Sequence, residues 1–141
     1  MVQVKQMVDR ALYFAGPAQT VGEVARQMAH LQVGAIVILE EGRLKGVFSE
    51  RDLMMRVVIH GLDAESTPVG RVMTTSVATV DEEDGLELAM ETMKARQCRH
   101  LPVLRGEEVV GFVSMRDLMH FELSRKTEEL GRMRAYIHGA A

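Results

Sequence analysis

The sequence predicts an α+β fold, an α/β sandwich of two pseudo-symmetric repeats, each a small sheet packed on two helices, followed by an extended C-terminal helix. Two observations lead there. The first is a duplicated heptapeptide: Gly46-Val47-Phe48-Ser49-Glu50-Arg51-Asp52 and Gly111-Phe112-Val113-Ser114-Met115-Arg116-Asp117 share the pattern Gly-apolar-apolar-Ser-x-Arg-Asp, and Leu-Met follows each copy. The offset of 65 residues, from 52 to 117, persists outside the motif and places Met28 on Met93, Gln32 on Gln97 and Leu39 on Leu104. The second is that one order of elements, helix, strand, strand, helix, is legible twice in that register. Units this small bury a core by packing on each other, which leaves a cleft at their interface.

Each element has a local reason. Val21, Val24, Ala25, Met28 and Leu31 recur at helical spacing behind Thr20, a natural N-cap. Ala35 to Leu39 is an uninterrupted apolar run rich in β-branched residues; Glu40-Glu41-Gly42 turns the chain and Leu44 to Phe48 returns, which predicts a hairpin. Ser49 caps a helix over about Glu50 to His60, and Gly61 ends it by accepting the left-handed conformation. The second copy predicts a helix over Leu86 to Arg96, strands over His100 to Leu104 and Val109 to Val113 around Arg105-Gly106-Glu107, and a helix from Met115. Leu12 to Phe14 and Val77 to Thr79 add a short extended piece ahead of each first helix, and Thr67-Pro68 opens a helical turn in the linker. The expected boundaries are 1–66 for the first repeat, 67–124 for the second and 125–141 for the helical extension.

Composition narrows the functional classes. The chain has 141 residues, 47% hydrophobic and 26% charged, which suits a soluble globular module. A net charge of −3 with no basic stripe argues against a nucleic-acid surface. No apolar run approaches the roughly 20 residues that span a bilayer, and charges occupy the place of a signal peptide's apolar core, so no membrane is expected and the cytoplasm is the expected compartment. The five histidines, at 30, 60, 100, 120 and 138, show no paired ligand spacing on one helix face, and Cys98 has no second thiol, so no metal site is expected. Cys98 and His100 lack an orienting third group, and no catalytic residue is assigned: the chain is read as a binding protein, not an enzyme.

The chemistry sits in the duplicated motif. An aspartate one turn into a helix capped by serine places a double acceptor beside a hydroxyl and free backbone N–H groups. Asp52 and Asp117 can accept from the vicinal hydroxyls of a ribose, while Ser49 and Ser114, each at a helix N-terminus, can receive a phosphate. Arg51 and Arg116 add charge nearby. The plainer alternative is that serine caps the helix and aspartate complements its dipole. The two sites differ in one respect: Arg99-His100 stands where the first repeat has Gly34-Ala35, so only the Asp117 side carries cations at the start of its own strand to meet a phosphate.

From about Val4 to Leu123 the chain closely resembles the cystathionine-β-synthase (CBS) domain pair, or Bateman module: the strand-ending Gly-apolar-apolar-Ser-x-x-Asp is doubled behind a helix and an apolar strand, and His100-Leu101-Pro102-Val103 is similar to the family's Leu-Pro-Val strand, whereas Val37 replaces that proline in the first repeat. The resemblance implies a stand-alone regulatory or signal-transduction module that binds adenosyl compounds, AMP, ADP, ATP, NAD or S-adenosylmethionine, with no cofactor required; the alternative is a structural or protein-interaction module with unoccupied clefts. It further implies that adenine at the Asp117 site lies against Leu12, Tyr13, Val33 and Ala35, and at the Asp52 site against Val77, Ala78, Cys98 and His100. The apolar positions Leu123, Leu130, Met133 and Ile137 continue the last helix past the repeat, which predicts a homodimer beside an unidentified regulated protein.

Overall fold

The computed structural model describes residues 2–8 and 12–139. Its elements are β1 (Phe14–Ala15), α1 (Val21–Leu31), β2 (Ala35–Glu40), β3 (Arg43–Ser49), α2 (Glu50–Asp52, continued in π form over Leu53–Val58), β4 (Val80–Asp81), α3 (Leu86–Arg96), β5 (His100–Arg105), β6 (Glu108–Ser114) and α4 (Met115–Gly139), with short 3-10 turns at Val4–Met7 and Val69–Arg71. Two three-stranded sheets result, β1-β2-β3 and β4-β5-β6; each joins a parallel pair to an antiparallel hairpin and each carries a register shift at the same place, Ile38/Leu39 and Val103/Leu104. The α+β fold of two pseudo-symmetric repeats is as the sequence predicts.

Both first helices form where the apolar period begins. Thr20 accepts from the Glu23 N–H at 3.2 Å, and α1 and α3 end on Gln32 and Gln97 in the left-handed conformation, φ 57° and 51°. Three local details differ from the sequence reading. The first strands lie two or three residues later than expected, because Ala15 and Val80 are the buried residues that pair beside Val37–Ile38 and Val103–Leu104. Pro68 caps the linker turn instead of beginning it, since it holds an extended conformation (ψ 138°) bridged to Thr20. And α2 widens: the Ile59 N–H reaches back five residues to the Met54 carbonyl at 3.0 Å, and the turn of the helix that carries Arg56 is a π turn.

Three apolar clusters hold the layers together. One packs α1 and α2 on the first sheet around Phe48, Ile36, Ile38, Val24 and Val57; Val69 and Val72 of the linker complete it. The second packs α3 and α4 on the other sheet around Leu101, Met93, Val103 and Leu118; Val4, fully buried, completes it from the N-terminus. The Val4 and Lys5 N–H groups donate to the carbonyls of Asp84 and Glu82 at 2.8 and 2.9 Å. The third cluster, Val37, Leu39 and Val109 with Leu12, Leu44, Val47, Leu104 and Phe112, joins the two sheets.

The motif glycines are explained by what passes over them. A Cβ on Gly46 would come within 2.6 Å of the Thr74 carbonyl oxygen, and one on Gly111 within 2.6 Å of a Val8 methyl. In each repeat the segment that completes a core crosses the strand at its glycine, and any side chain there would force the two apart.

Candidate functional site

Each duplicated Ser-x-x-Asp forms a reciprocal cap. At the end of β3 the Ser49 hydroxyl accepts from the Asp52 N–H at 3.1 Å, while the Ser49 N–H donates to Asp52 Oδ2 at 2.9 Å. At the end of β6 the Asp117 N–H donates to Ser114 Oγ at 3.0 Å and the Ser114 N–H donates to Asp117 Oδ2 at 2.9 Å. Serine leads a helix best when its oxygen receives an orphan N–H, and a carboxylate three residues on returns the favour. The same exchange in both repeats fixes the two carboxylates in equivalent places.

The surroundings of the two carboxylates are not equivalent. Asp52 is buried, 7% exposed, and its second oxygen is already engaged: the Thr74 hydroxyl donates to Oδ1 at 3.0 Å and Arg56 Nε lies 3.6 Å from it. Arg56 also donates to the Met73 carbonyl at 2.9 Å, and Val47 and Thr74 exchange backbone hydrogen bonds of 2.9 Å each way. Linker, β3 and α2 are thereby tied at one carboxylate. In the second repeat Phe121 stands at the position of Arg56, and Asp117 is half-buried. Thr74 and Arg56 escape a motif-based reading because they lie outside the heptapeptide; the signal was Gly46, whose missing side chain implies a close backbone neighbour. Thr74→Val removes a donor from a buried carboxylate and is expected to cost about 1–3 kcal/mol of stability, read as a lower urea midpoint with unchanged slope.

His100 links the repeats electrostatically. It pairs across the hairpin with Ser114 and stacks on Phe112, ring centroids 5.3 Å apart. Burial pushes its pKa down, opposed by the negative charges of Asp117 and of Glu50 from the first repeat and assisted by Arg99. The negative charges of Asp117 and of the first-repeat Glu50 thus both act on His100, and Arg99, exposed, accepts at its carbonyl from the Met115 N–H at 2.7 Å. Glu50 was not among the residues expected there. On the first-repeat side the Glu50 N–H donates to the Gly34 carbonyl at 2.9 Å, and Ala35, buried, pairs with Ser49 as His100 does with Ser114.

The residues expected at an adenine are distributed unevenly. Tyr13 and Val33 are exposed, 50% and 38%, and Leu12 packs into the cluster between the sheets. Ala78 and Cys98 pack against the second core, and Val77 is half-buried beside them in sequence. Burial raises the Cys98 thiol above its ordinary pKa, which disfavours a thiolate. Arg51 and Arg116 are exposed on the first turns of α2 and α4. Among the described residues no cluster of three or more His, Cys, Asp or Glu side chains gathers that could hold a metal, and no helix is long and apolar enough to cross a membrane. A depression of about 660 Å³ lined by Lys5, Leu12, Glu82, Arg105 and Val109 lies at the hairpin end of β5 and β6, away from Asp117; there Arg105 and Glu82 already pair at 2.7 Å.

A sequence model of the CBS domain matches this chain twice, over residues 4–59 and 69–124. The chain is 34% identical over 127 residues to the CBS domain-containing protein YhcV of Bacillus subtilis, covering 90% of each. It is also 34% identical over 125 residues to a mitochondrial CBS domain-containing protein of Arabidopsis thaliana, covering 85% of this chain and 61% of that protein's length. Among solved structures, a CBS domain protein from Pyrobaculum aerophilum complexed with AMP superposes with a TM-score of 0.76 at 29% identity, over 82% of this chain and 89% of that one.

Proposed function

This chain belongs to the CBS-domain family, and from that premise we propose that it is a regulatory module whose ligand is an adenosyl nucleotide, AMP, ADP, ATP or NAD, bound in the cleft between its two repeats. The observation that carries the reading is the Ser114–Asp117 cap beside His100, which pairs with Ser114 across the hairpin and feels the charges of Asp117 and of the first-repeat Glu50. Support also comes from the AMP complex of the Pyrobaculum relative. In this proposal Asp117 takes the ribose and Ser114, Arg99 and His100 the phosphate; the Asp52 side, with Gly34-Ala35 in place of Arg99-His100, binds phosphorylated ligands more weakly. Regulation then passes to a second copy of the chain or to another protein, in the cytoplasm, with no chemical step.

A thermal-shift panel of AMP, ADP, ATP, NAD and S-adenosylmethionine tests it. A ligand present at 100 times its Kd adds about 2.7 kcal/mol to stability and raises the melting temperature by several degrees. No shift at millimolar concentration from any of them would leave the module as a structural or protein-interaction unit with unoccupied clefts.

The phosphate contact has its own signature. Arg99→Ala should weaken AMP about tenfold and leave adenosine nearly unchanged, because only a charged hydrogen bond to phosphate is lost. Burial holds the His100 pKa below its ordinary value in the free protein, and a bound phosphate would raise it. AMP binding then takes up a proton, so affinity tightens as pH falls through the histidine range, levels off once the free histidine is also charged, and is flat for adenosine. Calorimetry in buffers of different ionisation enthalpy measures the proton uptake directly. Equal losses of AMP and adenosine in Arg99→Ala would make the arginine structural.

A further inference from the structure

The C-terminal half of α4 leaves the body of the protein: every residue from Lys126 to His138 is exposed, so this part of the helix projects about 20 Å without support. A free helix of about 12–15 residues is marginal in water, and this one contains Gly131. Its apolar positions follow a rule of their own. Met119, Leu123, Lys126, Leu130, Met133 and Ile137 alternate steps of four and three, the heptad spacing of a helix that lies along another helix. The five apolar members of that seam are 53–67% exposed. Basic and acidic residues are mixed along the segment, which does not suit attraction to an anionic membrane surface.

The charges beside the seam decide the partner and its direction. With Leu123, Leu130 and Ile137 at a positions, Glu122 and Glu129 fall at g and His120, Thr127 and Arg134 at e. In a parallel pair of identical helices g faces the e position five residues on in the other copy, so Glu129 meets Arg134 twice by symmetry. An antiparallel pair would set g against g and e against e, bringing glutamates onto glutamates and His120 towards Arg134. Lys126, whose Nζ lies 4.0 Å from Glu122 Oε1, interrupts the seam at one d position, and a single polar core residue fixes register at a cost in stability.

We propose that residues 119–137 form a parallel, in-register two-stranded coiled coil with a second copy of this chain. The arrangement places two modules side by side with their last helices running in one direction, and it is independent of nucleotide binding.

Disulfide trapping tests it on the full-length chain in a Cys98→Ala background. Leu123→Cys and Ile137→Cys lie on exposed helix outside every core cluster, and each should cross-link with itself under mild oxidation. A mixture of the two variants that yields only the 123–137 product would overturn the parallel arrangement, and so would failure of both to cross-link. Glu129→Lys should weaken self-association about tenfold in sedimentation equilibrium, and the double variant Glu129→Lys/Arg134→Glu should restore it. Association unaffected by Glu129→Lys, or not restored by the double variant, or a wild-type chain monomeric at tens of micromolar, removes the coiled coil.

Discussion

Asp117→Ala is expected to weaken AMP binding about tenfold to hundredfold, the loss that follows when a carboxylate accepting from two ribose hydroxyls is deleted, roughly 1.5–3 kcal/mol for hydrogen bonds to a charged group. Asp117 also closes the cap on Ser114, so alanine removes an acceptor from that N–H as well. Asp117→Asn separates the two roles: it keeps an oxygen for the Ser114 N–H and loses the charge and one acceptor. Titration calorimetry with AMP should show both variants impaired while circular dichroism shows a melting temperature close to wild type for asparagine. The parallel change at Asp52 should affect stability more than affinity, since Thr74 and Arg56 depend on that carboxylate. Unchanged affinity in folded Asp117→Ala would take the ribose away from this site altogether.

Phe48→Ala is expected to produce the largest loss of stability, about 3–5 kcal/mol. Phe48 is fully buried at the centre of the first core, between Ile36 on the facing strand and the helices α1 and α2. Truncation leaves a cavity that close-packed neighbours fill only in part. The melting temperature should fall by roughly 10–20 °C for a chain of this size. Val113 occupies the equivalent place in the second core, where the largest buried side chains are Met93, Leu101 and Leu118, so Val113→Ala should cost distinctly less. Equal losses from the two truncations, measured by urea unfolding, would show that the two cores do not differ in the way their side chains suggest.

What the sequence conveys and what it withholds divide along one line. The helices α1 and α3 fill the stretches that the repeat marks, α1 behind its capping threonine, and both hairpins turn where Gly42 and Gly106 sit, with φ 78° and 64°. These signals are local: a period, a cap, a turn. The two-residue strands β1 and β4 have no period to read, and their position depends on Val37 and Val103, far along the chain. The same holds at the site. Ser49 with Asp52 and Ser114 with Asp117 form the caps that the motif spells out, yet the Thr74 hydroxyl on Asp52 comes from a segment outside the motif, and the charge of Glu50 acts on His100 in the other repeat. A duplicated motif therefore predicts equivalent anchors without predicting equivalent sites.

The way the two cores are completed has a consequence for synthesis. The first core uses residues between Ala15 and Val72, so it can close as soon as that stretch has emerged from the ribosome. The second takes Val4 from ahead of the first repeat's core residues and its other members from Val80 to Leu118. The segment that carries Val4 must therefore wait, uncovered, until the second repeat has been translated, and the loop it closes encloses the whole of the first repeat. Closing so long a loop is entropically slow. The second half is thus a late folder that needs a segment made before the first half, and a nascent chain halted between the repeats would hold one finished half and a short apolar strip with nowhere yet to go.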